Sequence, residues 1–255
     1  MLKALDVPLP PRPLAVAPEP WLTRLEQAIR IRARKLRQPR IITVAGVRME
    51  VDRERLPPDV VRALYKERYE DREAALVRNM IEPGDRVLEM GAGIGFITLL
   101  CAKRCGAENV LSYEANPHNE PLIRRNFELN GLRPQLRIRA VSVTSDEREL
   151  FVDPNILSTG FINRGRGATA MVKCDAIADV IDEFQPNCLV LDVEGAEIDL
   201  LPAAPLDGVN KIILETHARI VGEEATRNLD LNLQSRGFTR YELRRNDKAW
   251  LCLRQ

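Results

Sequence analysis

The apolar positions of this chain change their pattern near Gly84. Before it, Leu22, Leu25, Ile29 and Leu36 recur at roughly helical spacing and predict a helix from Trp21 to about Arg37. The stretch IITVAGVRMEV (41–51) predicts two short strands around Ala45-Gly46. Residues 58–80 predict two helices, broken near Tyr69-Glu70. The first twenty residues, MLKALDVPLPPRPLAVAPEP, are rich in proline and predict an extended arm.

After Gly84, short apolar runs alternate with helical segments. RVLEM (86–90) is a strand, followed by a glycine-rich turn and a helix through Cys105. NVLSYE (109–114) is a second strand. The helix after it runs from Pro117 to Asn130 and stops at Gly131, with proline in the first turn and glycine just past the end. LRIRAVSV (136–143), CLVLDV (188–193) and KIILET (211–216) are further strands. A helix of about fifteen residues to Arg236 and an antiparallel pair, FTRYEL and KAWLCL, complete the chain. Strands alternating with helices predict an α/β fold with a doubly wound, mainly parallel sheet. Residues 1–80 then form an N-terminal appendage of arm, helices and hairpin, and residues 81–255 the principal domain. The long connection 153–169 carries Pro154, Gly160, Gly165 and Gly167, and is a candidate lid.

Composition narrows this only a little. The 255 residues carry 45% hydrophobic and 29% charged positions, as expected of a globular protein with a substantial core. The net charge of +1 gives the whole molecule no preference for nucleic acid or anionic lipid. One local exception is the basic cluster Arg30, Arg32, Arg34, Lys35, Arg37 and Arg40, which without interleaved aromatics reads first as a solvated helix face. No apolar run is long enough for a membrane span, and the N-terminus lacks a signal-peptide core. The five cysteines show no CxxC spacing and read as reduced core residues, so the expected compartment is the cytoplasm.

The strongest chemical signal is Glu89-Met90-Gly91-Ala92-Gly93-Ile94-Gly95-Phe96, between a strand and a helix. Glycines there allow a tight turn and close approach of a ligand to the backbone. Such a turn can hold a dinucleotide pyrophosphate, but the spacing is GxGxG rather than GxGxxG. Glu89 would also repel a pyrophosphate, whereas it suits a ligand bearing an ammonium and a sulfonium. These features favour S-adenosylmethionine over a nicotinamide dinucleotide. Glu114 ends the second strand, where a carboxylate can accept hydrogen bonds from ribose hydroxyls.

Asp192, Glu194 and Glu197 crowd the end of the fourth strand, at the sheet edge where α/β proteins bind ligands. Asp192 ends an apolar run and is a candidate general base. Glu194 and Glu197 divide evenly between function and capping of the next helix. His217, after the fifth strand, is the other candidate base. His118 reads as a surface residue. Asp192, Glu215 and His217 could also converge on a divalent ion such as Mg2+.

Taken together, YE (69–70), PGDRVLEMGAGIGFIT (83–98), YEANP (113–117), RRNFELNG (124–131) and LDVEGAEIDLL (191–201) resemble the FkbM family of Rossmann-like S-adenosylmethionine-dependent methyltransferases. The resemblance implies a seven-stranded sheet of order 3-2-1-4-5-7-6 with strand seven antiparallel. It implies that Glu89, Gly91 and Gly93 face the methionine part of the cofactor, and that Gly95, Phe96, Tyr69 and Ala115 are further cofactor-binding residues. Glu114 would hold the ribose, Asn116 and the stretch Ala140–Ser142, with Val141, would lie near the adenine, and Asp192 would sit beside the methyl group. Family members mostly methylate hydroxyls of sugars or secondary metabolites. The departure is Val190, where many members carry lysine.

The expected function is therefore O-methylation of a small-molecule or glycan hydroxyl, with Asp192 or His217 taking the proton. Nucleic acid is not the expected partner, no membrane is expected, and a homo-oligomer is compatible with the sequence. The alternatives are an RNA or protein methyltransferase using segment 30–40, and a nucleoside-binding module without turnover.

Overall fold

The computed structural model describes residues 11–14, 21–152, 168–244 and 247–254. Four elements precede Gly84 besides a short edge strand, β1 (Arg12–Pro13). They are helix α1 (Trp21–Arg37), the hairpin β2 (Ile41–Val44) and β3 (Val47–Glu50), α2 (Pro58–Tyr65) and α3 (Asp71–Met80). The hairpin turn sits at Ala45-Gly46, both at positive φ, as the spacing predicts. The two helices of 58–80 are broken where expected, and Glu70 adopts a left-handed conformation immediately before α3.

The principal sheet follows. Its elements are β4 (Val87–Met90), α4 (Phe96–Cys105), β5 (Val110–Tyr113), α5 (Glu120–Asn130) and β6 (Gln135–Arg137). A small sheet is inserted next, from β7 (Ala140–Ser142), β8 (Glu147–Val152) and β9 (Ala168–Ala176). The chain then returns through α6 (Ile177–Phe184), β10 (Cys188–Leu191), α7 (Glu197–Ala203) and β11 (Lys211–Glu215). It ends with α8 (Ala218–Val221), α9 (Glu223–Ser235), β12 (Phe238–Glu242) and β13 (Ala249–Arg254).

The sheet order is β1-β12-β13-β11-β10-β4-β5-β6. Counting β4, β5, β6, β10, β11, β12 and β13 as strands one to seven, this is 3-2-1-4-5-7-6, with β13 antiparallel to both neighbours. The Rossmann-like methyltransferase architecture expected from the sequence is therefore present. β1 adds one strand, parallel to β12, so part of the proline-rich arm closes the sheet edge.

Two predictions of secondary structure need correction. LRIRAVSV is two strands, not one. β6 pairs with β5, whereas β7 leaves to pair with β9, and Arg139 between them is tied to Asp175 of β9 at 2.6 Å. The second correction is the small sheet with α6, which the sequence reading largely missed. Its strands enclose only a four-residue cluster, Ala140, Leu150, Val172 and Cys174, so little apolar periodicity announces them. The proposed lid, 153–169, lies outside the described residues apart from its last two positions, which belong to β9.

Apolar side chains fill both faces of the sheet. On one face α3, α4 and α5 pack with α2 and the hairpin, so that Met49, Leu64, Leu76 and Ile97 share a continuous core. On the other, α6, α7 and α9 cover Leu88, Leu111, Leu189 and Ile212. All five cysteines are buried and free, as expected. Among the described residues no helix is long and apolar enough to cross a membrane.

Candidate active site

The carboxyl ends of β4, β5, β10 and β11 open onto one cleft of about 250 Å³. Parallel strands place their ends side by side, so residues far apart in sequence converge there. Gly91 shows how tightly. At φ +94° its missing Cβ would lie 2.0 Å from the Asp192 carbonyl oxygen, so no side chain fits between β4 and β10. The Gly93 amide donates at 2.8 Å to Glu114 Oε2. Gly95 lies further on, against Phe127 of α5.

Glu114 sits at the centre of the β5 end. Its other oxygen, Oε1, accepts from the Asn116 amide at 2.8 Å and from Asn119 Nδ2 at 3.2 Å. Burial lifts its carboxyl to about 7, against the pull of those donors. Ala115 and Asn119 line the cleft beside it. Asn116 is buried and turned away, its side chain accepting from the His118 amide at 3.0 Å to cap the turn Pro117–Asn119. His118 is exposed, as expected. Gly91 and Ala115 also border a narrower recess with Ala140 and Val141, next to the cleft on the small-sheet side.

Glu89 stands differently from its expected place at the cofactor. It lies beneath the glycine loop, where Thr98 Oγ1 and Ser112 Oγ each donate to Oε2 at 2.5 Å. It is 1% exposed, is not among the cleft-lining residues, and burial lifts its carboxyl to about 7. Phe96 is likewise below the cleft, 6.0 Å from the Tyr69 ring between centroids. Tyr69 does line the cleft.

Opposite Glu114 stand Asp192 and His217. His217 Nε2 is 3.4 Å from Asp192 Oδ1 and 3.5 Å from Glu194 Oε2. Its other face meets Glu197, whose Oε1 accepts the His217 amide at 2.9 Å and lies 3.3 Å from Nδ1. Glu197 is 1% exposed and also accepts the Gly195 amide at 2.9 Å, so it links the β10 loop to the end of β11. Burial alone would lower the His217 pKa, but Glu197, Asp192 and Glu194 outweigh it and raise it. Burial lifts Asp192 to about 7, partly offset by His217 and reinforced by Glu194.

Four lining residues escaped the sequence reading as site residues: Val60, Glu70, Asn119 and Lys248. Glu70 follows from the helix break at Tyr69-Glu70, the one local signal available. Lys248, between β12 and β13, pairs with Glu215. Glu70, Glu114, Asp192, Glu194 and Glu215 thus bring five carboxyl groups to the cleft, against His217 and the cation Lys248. Burial raises the Glu70 carboxyl well above its usual range. Buried carboxyls lifted in this way ionise more readily beside a cation and less readily beside a phosphate, so the cleft favours a cationic ligand.

The expected metal triad is also altered. Asp192, Glu194 and His217 offer ligand atoms within 4.8 Å of one another, whereas Glu215 lies 4.0 Å from His217 Nε2 and is engaged by Lys248. Lys248, held by Glu215, places a fixed positive charge beside that trio.

Residues 46–161 match the model of the TRM5/TYW2 methyltransferase domain. A "Putative protein N5-glutamine methyltransferase" of Methanocaldococcus jannaschii is 35% identical over 72 residues, which are 27% of this chain and 36% of that protein's length. Among solved structures, M. jannaschii TYW2 in complex with AdoMet is similar with a TM-score of 0.43 and 14% identity, over 84% of this chain and 82% of that one. Pyrococcus abyssi Trm5b is similar with a TM-score of 0.43 and 15% identity, over 84% and 54%.

The sheet order is that of the Rossmann-like methyltransferase fold, and residues 46–161 are similar to the TRM5/TYW2 methyltransferase domain. That match is to a family other than FkbM and overturns the FkbM resemblance. That resemblance leaned on the glycine loop and strand-two motif, which many methyltransferases share, and on LDVEGAE, which lies outside the matched residues. With it falls the expected small-molecule or glycan hydroxyl, an acceptor that the TRM5/TYW2 match does not support.

Proposed function

We propose that this protein transfers the methyl group of S-adenosylmethionine to a base of RNA, a tRNA being the acceptor that the matched family indicates. The observation that carries the reading is the match of residues 46–161 to the TRM5/TYW2 methyltransferase domain. Two features support it. The cleft is acidic enough to draw a sulfonium and ammonium while turning backbone phosphates outward. The appendage exposes Arg32, Lys35, Arg37 and Arg40 on one segment. On this reading residues 1–80 serve the acceptor and residues 81–255 the cofactor.

Bound S-adenosylmethionine supplies an electrophilic methyl group with its own leaving group. In this proposal Gly91, Gly93 and Tyr69 border its methionine end, Glu114, Ala115 and Asn119 hold the ribose, and Ala140 and Val141 flank the adenine. Glu89, Gly95, Phe96 and Asn116 shape those residues from beneath or behind. Asp192 and His217 take the proton that the acceptor atom loses, and Glu197 keeps the imidazole turned toward Asp192. Positioning contributes the rest, since a close in-line geometry replaces a bimolecular encounter.

Incubation with S-adenosylmethionine labelled in its methyl group, total RNA and total protein tests the reading. Label in the RNA fraction, released by ribonuclease, is expected. Label confined to protein would sink it and favour the glutamine amide named for the M. jannaschii relative.

A further inference from the structure

A second cavity, of about 210 Å³, lies on the appendage outside the cleft. Lys35 from the end of α1, Arg53 from the loop after β3 and Arg62 from α2 all line it, with Gln38 and Tyr65. Among the described residues no carboxylate lines it. Three other basic groups nearby are already engaged. Arg30 and Arg34 are paired with Glu67 at 2.6 Å each, and Arg55 faces Asp52 at 3.5 Å. Lys35, Arg53 and Arg62 make no ion pair among the described residues, and each is exposed. Arg53 donates to Gln38. The Tyr65 hydroxyl donates to the Pro39 carbonyl at 3.1 Å, so the ring forms a fixed wall.

Three cations facing one cavity repel one another unless an anion lies between them. Guanidinium groups match a tetrahedral oxyanion with paired N–H donors, and the lysine adds a mobile point charge. Position assigns the anion's source. Helix α2 separates this cavity from the acidic cleft: Val60 lines the cleft, while Val61, Arg62 and Tyr65 line the cavity. An α-helix is about 10 Å across, so an anion held here lies roughly that far behind the cleft wall. A polynucleotide backbone excluded from the acidic cleft finds its counter-charge there.

We propose that Lys35, Arg53 and Arg62 form a phosphate-binding pocket that grips the backbone of the RNA acceptor beside the cleft. This rests on the RNA reading above. The pocket would anchor the strand without reading its sequence, because phosphate contacts position rather than specify.

The test uses the full chain and a dye-labelled, unmodified tRNA transcript, with anisotropy followed over a range of salt. The triple variant Lys35→Ala, Arg53→Gln, Arg62→Ala is expected to bind at least about tenfold more weakly, with a salt slope smaller by about 1. Its affinity for S-adenosylmethionine should be unchanged, which also reports that it folds. Should the triple variant not fold, the single variant Arg62→Gln at this exposed position is expected to bind about threefold more weakly. Equal tRNA binding by folded variant and wild type would overturn the pocket and leave the RNA reading standing. Absence of tRNA binding by the wild type would instead overturn the RNA reading. Calorimetry with inorganic pyrophosphate then decides the pocket alone. Binding lost in the variant retains a site for free phosphate groups, and no binding by the wild type removes it.

Discussion

Glu197 Oε1 receives the His217 backbone amide at 2.9 Å and stands 3.3 Å from the ring Nδ1, holding the imidazole with Nε2 toward Asp192. This raises the His217 pKa from its ordinary value of about 6.5. A raised histidine contributes stability that is fully present below the unfolded value and is lost as pH rises through the folded one. In catalysis the sign is reversed, because a base must be neutral, so activity should fall on the acid side with an apparent pKa above about 6.5. Asp192 and His217 titrate as a pair, so that limb belongs to both. Glu197→Gln should move it to lower pH and lower turnover. NMR titration of the His217 ring in both proteins checks this, and an unmoved His217 would end the positioning role of Glu197.

Asp192→Asn and His217→Gln should each reduce turnover about 10²- to 10⁴-fold, the usual contribution of a positioned acid or base. Cofactor affinity should change far less, because neither substitution fills the space of the cleft. Single-turnover methylation of RNA with calorimetry of cofactor binding makes the comparison. Full activity in both variants would remove the pair from the mechanism.

Gly91→Ala should abolish cofactor binding and cost about 3 kcal/mol of stability or more. Its Cβ would meet the Asp192 carbonyl oxygen at 2.0 Å, and the φ of +94° resists any side chain. Thermal unfolding and calorimetry read the two effects. A stable variant with normal affinity would mean that β4 and β10 can part at this point without loss.

Glu67 is the anchor of α1. It binds Arg30 and Arg34 at 2.6 Å, and Arg34 is almost wholly buried. Glu67→Gln should cost about 3 kcal/mol, because it leaves a buried guanidinium without its counter-charge. Burial raises the Glu67 carboxyl, but the bond from Arg30 and the charges of both arginines outweigh it and hold the pKa low. A lowered carboxyl contributes stability above its unfolded value and loses it as pH falls through the folded one. The stability gap between wild type and variant should therefore narrow below about pH 4.3, as denaturant unfolding over pH would show. A gap independent of pH would mean that packing, not charge, supplies the difference.

Much of this architecture was legible in the order of residues. Helix α1, the hairpin, the break at Tyr69-Glu70, the glycine turn and the terminal antiparallel pair each follow from a local period or a local breaker. The ends of β4, β5, β10 and β11 were identified as the chemical edge because carboxylates and glycines end apolar runs there. The small sheet was hard to see because its strands bury few side chains and exposed Met171 lies among them. The basic segment 30–40 looked uniform, yet it holds two arginines locked onto Glu67 and a lysine facing an open cavity.

What the chain by itself determined were most elements of the principal sheet and the appendage, their order along the chain, the mainly parallel α/β class and the residues at the ends of β4, β5, β10 and β11. Those depend on neighbours within one turn or one strand. Tertiary structure alone decided that Glu89 turns inward to Thr98 and Ser112, and that Glu197 reaches His217 twenty residues away. It also brought Glu70 and Lys248 to the same cleft. Those contacts depend on which strands lie side by side and in what register, and a periodicity that records only which face of an element is buried does not encode them.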